Sequence, residues 1–463
     1  MRKIINASAL AVAIALPVAA DAATPRATGN DELQRQISAL LTRVEQLEAR
    51  NTQLEQTVQQ QQQAAAGQAP VAERLEAVEV RSKAIEARIA SAEETNDLQS
   101  DSLAKDAGAS WARGIKLKGD TRYRHELIDR EGANQRNRQR LRVRLGLDAR
   151  VNDTVSAGLQ LATGGDDPRS TNQTLGDGGP NVRREFRLDQ AYVAWKPAAL
   201  SGTSVVLGKM PQPWFRPGMS MMYDGDINPE GGAIRWTGRT LFVNAWGLYL
   251  RENSAVADSA TFGAQAGGRF TLGPVSSLTA AASYSKYSNV GSFVPAPVYN
   301  NGANGNTTTG ATTTGNLQLA SDFSIWQLGV QFDTKIGALP FMAFADYLQN
   351  ADAVRNAALG RKLDTAWSVG LMLGKASDPR TWEIAVMYED SDKDAQFGQF
   401  IDSDFGDGNT DAKGLVFRAG YAVAKNWTLN ATYFDNTLRK DVNSATSPEL
   451  DYKRLQVDLN FKF

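Results

Sequence analysis

From residue 114 to the C-terminus, hydrophobic residues recur at every second position. The last segment is the clearest: Leu455, Val457, Leu459, Phe461 and Phe463 alternate with Arg454, Gln456, Asp458, Asn460 and Lys462. Leu141, Val143, Leu145, Leu147, Ala149 and Val151 alternate in the same way with Arg138, Arg140, Arg142, Arg144, Gly146, Asp148 and Arg150. A period of two marks a strand with one apolar and one polar face. The pattern predicts sixteen strands, at 114–127, 137–151, 155–163, 183–196, 203–209, 230–237, 240–251, 260–270, 276–288, 321–333, 339–349, 365–374, 381–389, 413–422, 426–435 and 451–463. The phase is ambiguous in 183–196 and 240–251, so fourteen to eighteen strands fit. Short turns (Asn152-Asp153, Thr237-Gly238, Gly337, Ser377 to Pro379, Ala424-Lys425) alternate with long polar loops at 164–182, 210–229, 289–320, 390–412 and 436–450. Strands of about 10 residues, an even count and this alternation predict an all-β transmembrane antiparallel barrel. Closure leaves no unpaired backbone edge in lipid. Aromatic residues near strand ends, such as Phe262 and Phe270, Trp382 and Tyr388, or Trp427 and Tyr433, fit two interfacial girdles.

The N-terminal quarter has a different period. Leu33, Ile37, Leu40, Val44, Leu47, Asn51, Leu54 and Val58 are spaced four and three apart, a heptad seam with Asn51 as a polar register-fixing residue. The stretch from Gln59 to Pro70 breaks the phase, and a second seam runs through Val71, Leu75, Val78, Ser82, Ile85, Ile89 and Ala92. A stripe this narrow predicts a self-associating α-helical coiled coil over 23–110. Before it, Arg2 and Lys3 precede an apolar run from Ile4 to Val18 and an Ala20-Asp21-Ala22 cleavage site, which predicts a signal peptide over 1–22 and export of the chain. The barrel is assigned to 111–463.

Composition removes whole classes of chemistry. There is no cysteine among the 463 residues, so thiol catalysis, disulfides and cysteine-bound metals are excluded. His125 is the single histidine, and a position near the rim of the first strand suits it better than catalysis. The net charge of −1 argues against a nucleic-acid partner. No catalytic residue, cofactor or metal is expected. Asp224-x-Asp226-x-Asn228 and Asp402-x-Asp404 with Asp407 and Asp411 resemble calcium loops, but both lack the Gly and Glu that such loops place at positions six and twelve. They read as turn acids. The Asn/Thr/Gly-rich stretch 299–316 is low in complexity and receives no function.

The aromatic last strand ending in Phe463, the Val206-Leu207-Gly208-Lys209 strand before a long loop, and the arginine-rich second strand together resemble a Gram-negative outer-membrane porin. The closest group is the putative porins, in which a periplasmic coiled coil precedes a barrel of about this length. The likeness covers the whole mature chain, and it implies passive diffusion of small hydrophilic solutes through a water-filled channel. It implies that Phe463 is the signal read by the barrel-assembly machinery. It also implies that loop 210–229 folds inward, with Asp224, Asp226 and Glu230 facing the wall across the pore. Its further implied partners are a homotrimer of the chain, outer-membrane lipid and lipopolysaccharide, and peptidoglycan within reach of the coil.

In a barrel, the polar face of the first two strands points inward. Lys116, Lys118, Arg122, Arg124, Arg138, Arg140, Arg142 and Arg144 are therefore expected to line the pore, opposed by Asp120 and Glu126. Four arginines at every second position create a positive potential that draws anions inward. The rival reading is an outer-membrane tether whose coil is the working part; a plugged lumen would favour it. An outer-membrane enzyme would need acid–base groups that a single histidine scarcely supplies. A channel specific for phosphate or another anion differs from the general porin only in binding strength.

Overall fold

The computed structural model describes residues 114–252, 254, 257–290, 302–309, 318–441 and 448–463, together with Ala49, Thr52, Gln53 and Gln56. Those four N-terminal residues are helical and exposed. The rest of the expected coiled coil, and the expected signal peptide, lie outside the described residues.

Sixteen strands form the barrel: β1 Ile115–Arg130, β2 Arg136–Arg150, β3 Val155–Thr163, β4 Phe186–Trp195, β5 Thr203–Lys209, β6 Glu230–Thr237, β7 Leu241–Arg251, β8 Ser259–Thr271, β9 Ser277–Ser288, β10 Ser324–Ile336, β11 Leu339–Asn350, β12 Thr365–Gly374, β13 Trp382–Ser391, β14 Ala412–Ala424, β15 Trp427–Leu438 and β16 Leu450–Lys462. Each pairs antiparallel with its neighbours in sequence. β16 returns to β1, from Asp120 opposite Lys462 to Arg130 opposite Tyr452, and closes the sheet. The sixteen expected strands are all present, with ends shifted by a few residues.

Local chemistry explains the turns. In the β2–β3 turn, Asn152 Oδ1 accepts from the backbone N–H groups of Thr154 and Val155, both at 2.9 Å. This side-chain mimic of a turn is what asparagine supplies. The phase ambiguity at 183–196 has a physical cause. Gln160 opposes Gln190 while Leu161 opposes Leu188, so Asp189 is an extra residue in a bulge. A bulge moves side chains to the other face, which no fixed period can follow. A second irregularity falls between Tyr249 and Arg251, in the other ambiguous segment.

The outward face carries the alternating apolar residues, many of them large and exposed, including Leu117, Leu207, Ile234, Trp326, Leu328 and Ile384. Exposed apolar side chains in a continuous band are what a hydrocarbon surround requires. Tyr249, Phe262, Trp326, Tyr347 and Trp367 lie toward the long-loop end, whereas Trp195, Trp236, Phe270, Trp382, Trp427 and Phe461 lie toward the short-turn end. Phe463 finishes the seam. Its N–H donates to Gly119 O at 3.1 Å, and Gly119 N–H donates to Phe463 O at 3.0 Å. A Cβ on residue 119 would meet the Phe463 ring and, at 2.6 Å, the Arg144 backbone carbonyl, which cannot step aside, so glycine suits this position.

Candidate functional site

Inside the barrel, two regions differ. Over β7–β13 the long loops fill the interior. Loop 210–229 enters it and spends its polar groups on inward-facing side chains. Phe215 exchanges two hydrogen bonds with Gln265 of β8, at 2.7 and 3.0 Å. Gly218 N–H donates to Gln331 of β10, Ser220 Oγ to Asp346 of β11, and Met221 N–H to Glu389 of β13. Around these anchors, Met222 and Tyr223 pack with Tyr287, Phe323, Ile325, Leu348 and Phe397, all buried. Trp214 stacks at a tilt on Tyr223 and Trp246, with centroids 5.4 and 5.2 Å away. Residues 302–309 of the low-complexity stretch pack here too: Asn306 Nδ2 donates to Lys393 O and Gln396 O.

Loop 392–411 closes onto loop 210–229. Asp224 N–H donates to Phe400 O, Asp402 N–H to Met221 O, and Ser403 N–H to the Asp224 carboxylate at 2.7 Å. Burial and the neighbouring Asp402 push the Asp224 carboxyl well above the usual range. Burial and Asp404 push Asp402 up to about 6. Asp404 moves the other way because Arg454 and Arg124 outweigh its burial. The two stretches that resembled calcium loops thus serve loop geometry: Asp402 Oδ1 accepts from the N–H groups of Asp404 and Phe405.

The wall of β1, β2 and β14–β16 is charged. Arg122, Arg124, Arg138, Arg140, Arg142 and Arg144 share the inward face with Lys116 and Lys118, since Arg122 opposes Arg142 and Arg124 opposes Arg140 in register. Asp120 accepts from Arg142 at 3.0 Å and from Arg144 at 2.7 Å. Glu126 is fully buried and takes Arg138 at 2.7 Å, Gln456 at 3.1 Å and Arg454. Arg124 grips Asp458 with two bonds of 2.6 and 2.7 Å and reaches Asp404 at 3.1 Å. Lys118 pairs with Asp148 at 2.6 Å in the open, and Lys116 is exposed.

The three loop acids separate. Asp226 lies 3.6 Å from Arg144 and accepts from Thr171 Oγ1 at 3.0 Å. Asp224 is turned to loop 392–411 instead. Glu230 is not part of the loop: it opens β6, opposite Lys209 and Tyr249 on the outward face, and pairs with Lys209 at 3.0 Å. Its expected place across from the arginines is thereby corrected, because the strand begins one residue after Pro229 and its phase turns Glu230 out. His125 faces outward on β1, with Nδ1 2.6 Å from Gln139 Nε2. The expected inner acids, Asp120 and Glu126 on the wall with Asp224, Asp226 and Glu230, did not include Asp404 and Asp458. Asp458 stood on the polar face of the last strand's alternation. Asp404 carried no pattern that tied it to β1.

Two cavities follow this wall. An outer one of about 1040 Å³ is lined by Arg136, Arg138, Arg140, Arg184, Asp177 and neighbours. An inner one of about 310 Å³ is lined by Arg122, Arg124, Asp226, Arg418, Asn430 and Asn460 among others. Arg169, Asn172, Ser403 and Asp404 line both. Ser403 Oγ donates to Arg169 O at 3.1 Å, which ties loop 164–185 to loop 392–411 between the cavities.

Solved structures similar in fold to this chain include an outer membrane protein of Vibrio cholerae. OprB of Pseudomonas putida, in a high-pH structure, aligns with a TM-score of 0.50 at 12% identity, over 75% of this chain and 94% of that one. OmpF of Salmonella typhi, in complex with daunomycin, gives 0.46 at 15% identity, over 75% and 97%. OmpT of Vibrio cholerae in its trimer form gives 0.43 at 12% identity, over 76% and 100%. No curated protein matches the chain. The model of the family described as putative porin matches residues 129–318 and 295–463, nearly the whole barrel. Sixteen closed strands, a lipid-compatible outer face and this match agree, and the chain belongs to the putative porin family, an outer-membrane channel.

Proposed function

We propose that this porin passes small hydrophilic solutes by passive diffusion along one side of its barrel and prefers anions. The observation that carries the reading is the location of the polar space: both cavities lie against the arginine-bearing wall, while the opposite side is packed. Lys116, Lys118, Arg122, Arg124, Arg138, Arg140, Arg142 and Arg144 line the route. Loop 210–229 narrows it by occupying the other side and by turning Asp226 toward Arg144. Asp224 supports that loop from behind. A wall of fixed positive groups beside the polar cavities raises the local concentration of anions.

An even number of strands brings both ends of the barrel to one side, which supports a periplasmic location for them and for the expected coil at 23–110, towards the peptidoglycan. A three-fold assembly suits an axial coiled coil. The exposed ring of Phe463 at the barrel seam is available to the assembly machinery. The test is conductance of the purified protein in a planar bilayer under a salt gradient. Openings in groups of three with an anion-selective reversal potential are expected. A folded, inserted protein without conductance would overturn the diffusion reading and favour the tether.

A further inference from the structure

The arginines of the wall are not equally satisfied. Arg124, Arg138, Arg142 and Arg144 each have a carboxylate oxygen within 3.0 Å. Arg122 and Arg140 do not. The nearest acid to Arg122 is Asp458 at 3.9 Å, already held by Arg124 through two bonds. The nearest to Arg140 is Glu126, also at 3.9 Å and already held by Arg138 and Arg454. Each of the two arginines keeps a buried Nε–H without a hydrogen-bond partner.

What the two arginines touch instead is neutral. Arg122 donates to Asn172 Oδ1 at 2.6 Å. Arg140 donates to Ser170 Oγ at 3.2 Å and to Asn172 O at 3.4 Å. Arg140 lines the outer cavity, Arg122 the inner one, and Asn172 both. Because Arg140 faces Arg124 and Arg122 faces Arg142 across the β1–β2 ladder, the two are diagonal neighbours, a separation of about 7–8 Å between residues. A guanidinium that holds only neutral acceptors exchanges them readily for a charged, two-oxygen acceptor. Arg418, which has no ion pair or hydrogen bond among the described residues, continues the inner cavity on β14.

We propose that Arg140 and Arg122 are two successive stations for an oxyanion, a carboxylate or phosphate group on a small solute, passed across Asn172 from the outer cavity to the inner one. This rests on the diffusion reading above. It goes beyond it by replacing a diffuse positive field with two sites that need the forked guanidinium. The solute class is therefore small organic acids or phosphate esters rather than anions in general, because a carboxylate or phosphate offers two oxygens for two parallel N–H···O bonds and a single chloride ion does not.

The experiment uses the full-length protein in a planar bilayer carrying potassium chloride, with sodium propionate or sodium phosphate added. The expected result is a saturable block of the chloride current. Arg122→Lys and Arg140→Lys keep the charge and remove the fork, so each should weaken the block about tenfold, the loss of one charge-assisted bond. Unitary chloride steps in the same recordings establish that each variant is folded. Block by propionate alone assigns a carboxylate, and block by phosphate alone assigns a phosphate group; either supports the stations. Open channels whose block is identical in wild type and both lysine variants would overturn them while leaving the diffusion reading intact. A silent bilayer would overturn that reading itself.

Discussion

The two sides of this barrel solve the same problem by opposite means. Over β7–β13 the interior is closed by rings and aliphatic chains, with Phe323, Phe397, Leu348 and Met222 shielded from water. Over β1, β2 and β14–β16 an apolar cluster of Ile128, Phe405, Val416, Phe434 and Tyr452 fills part of the space, and the rest is kept open by charge, with Glu126, Asp120, Asp458 and Asp404 holding guanidinium groups in place. Apolar packing has no direction and collapses to exclude space. Ion pairs fix side chains at set distances and tolerate water beside them. A channel needs both, one to take up excess lumen and one to hold the remainder ajar.

The first way to break the comparison is to remove the hub of the charged side. Glu126→Ala leaves Arg138 and Arg454 without their buried carboxylate, and losing one member of a buried pair costs roughly 3–5 kcal/mol. The urea midpoint of the refolded barrel in lipid should fall accordingly, and an unchanged midpoint would mean the network is not structural. Next comes the packed side. Phe323→Ala opens a cavity against Met222 and Tyr223 of loop 210–229 and should cost about 3 kcal/mol, at the low end for such truncations because a loop can settle. Here conductance should rise as the filler loosens, whereas in the Glu126 variant it should become noisy.

The rim gives a third test. Lys440 Nζ is surrounded by Asp390, Asp392 and Asp441 at 2.9, 2.6 and 2.7 Å. Lys440→Met should cost about 1.5–3 kcal/mol, less than Glu126, because water reaches part of the cluster. Faster proteolysis in loop 439–449 is the check.

The contact between loops 210–229 and 392–411 should also respond to pH. Asp402 is raised to about 6 by burial and Asp404, and Asp224 is raised too. A carboxyl raised in the folded state favours its protonated form, so its contribution is full near pH 4 and lost as pH rises through about 6. Single-channel current should be quieter at pH 4 than at pH 7, and Asp402→Asn should flatten the difference; an equal slope in that variant would exclude Asp402 as the cause. The smallest effect belongs to the exposed Lys118–Asp148 pair, where Lys118→Gln should change stability by less than about 1 kcal/mol.

Much of this was legible in the chain. A period of two gave sixteen strands near their observed ends, because one face must meet lipid and the other polar space. The inward placement of the β1 and β2 cations follows from the same rule. The bulge at Asp189 was not legible, since an extra residue breaks the period that would reveal it. The outward turn of Glu230 was hidden for the same reason: where a strand begins sets its phase, and the Pro229–Glu230 boundary carries no hydrophobic signal.

The sequence by itself determined the barrel and its two faces, because alternation is local and is enforced at every residue by the difference between hydrocarbon and water. Only the tertiary structure decided which acids meet which arginines. Arg124 finds Asp458 from 334 residues away, and Asp404 reaches it through a loop. Such pairings depend on barrel closure and loop docking, and no spacing along the chain encodes them. It was also the fold that left Arg122 and Arg140 without a carboxylate of their own, since their neighbours had already claimed the two within reach.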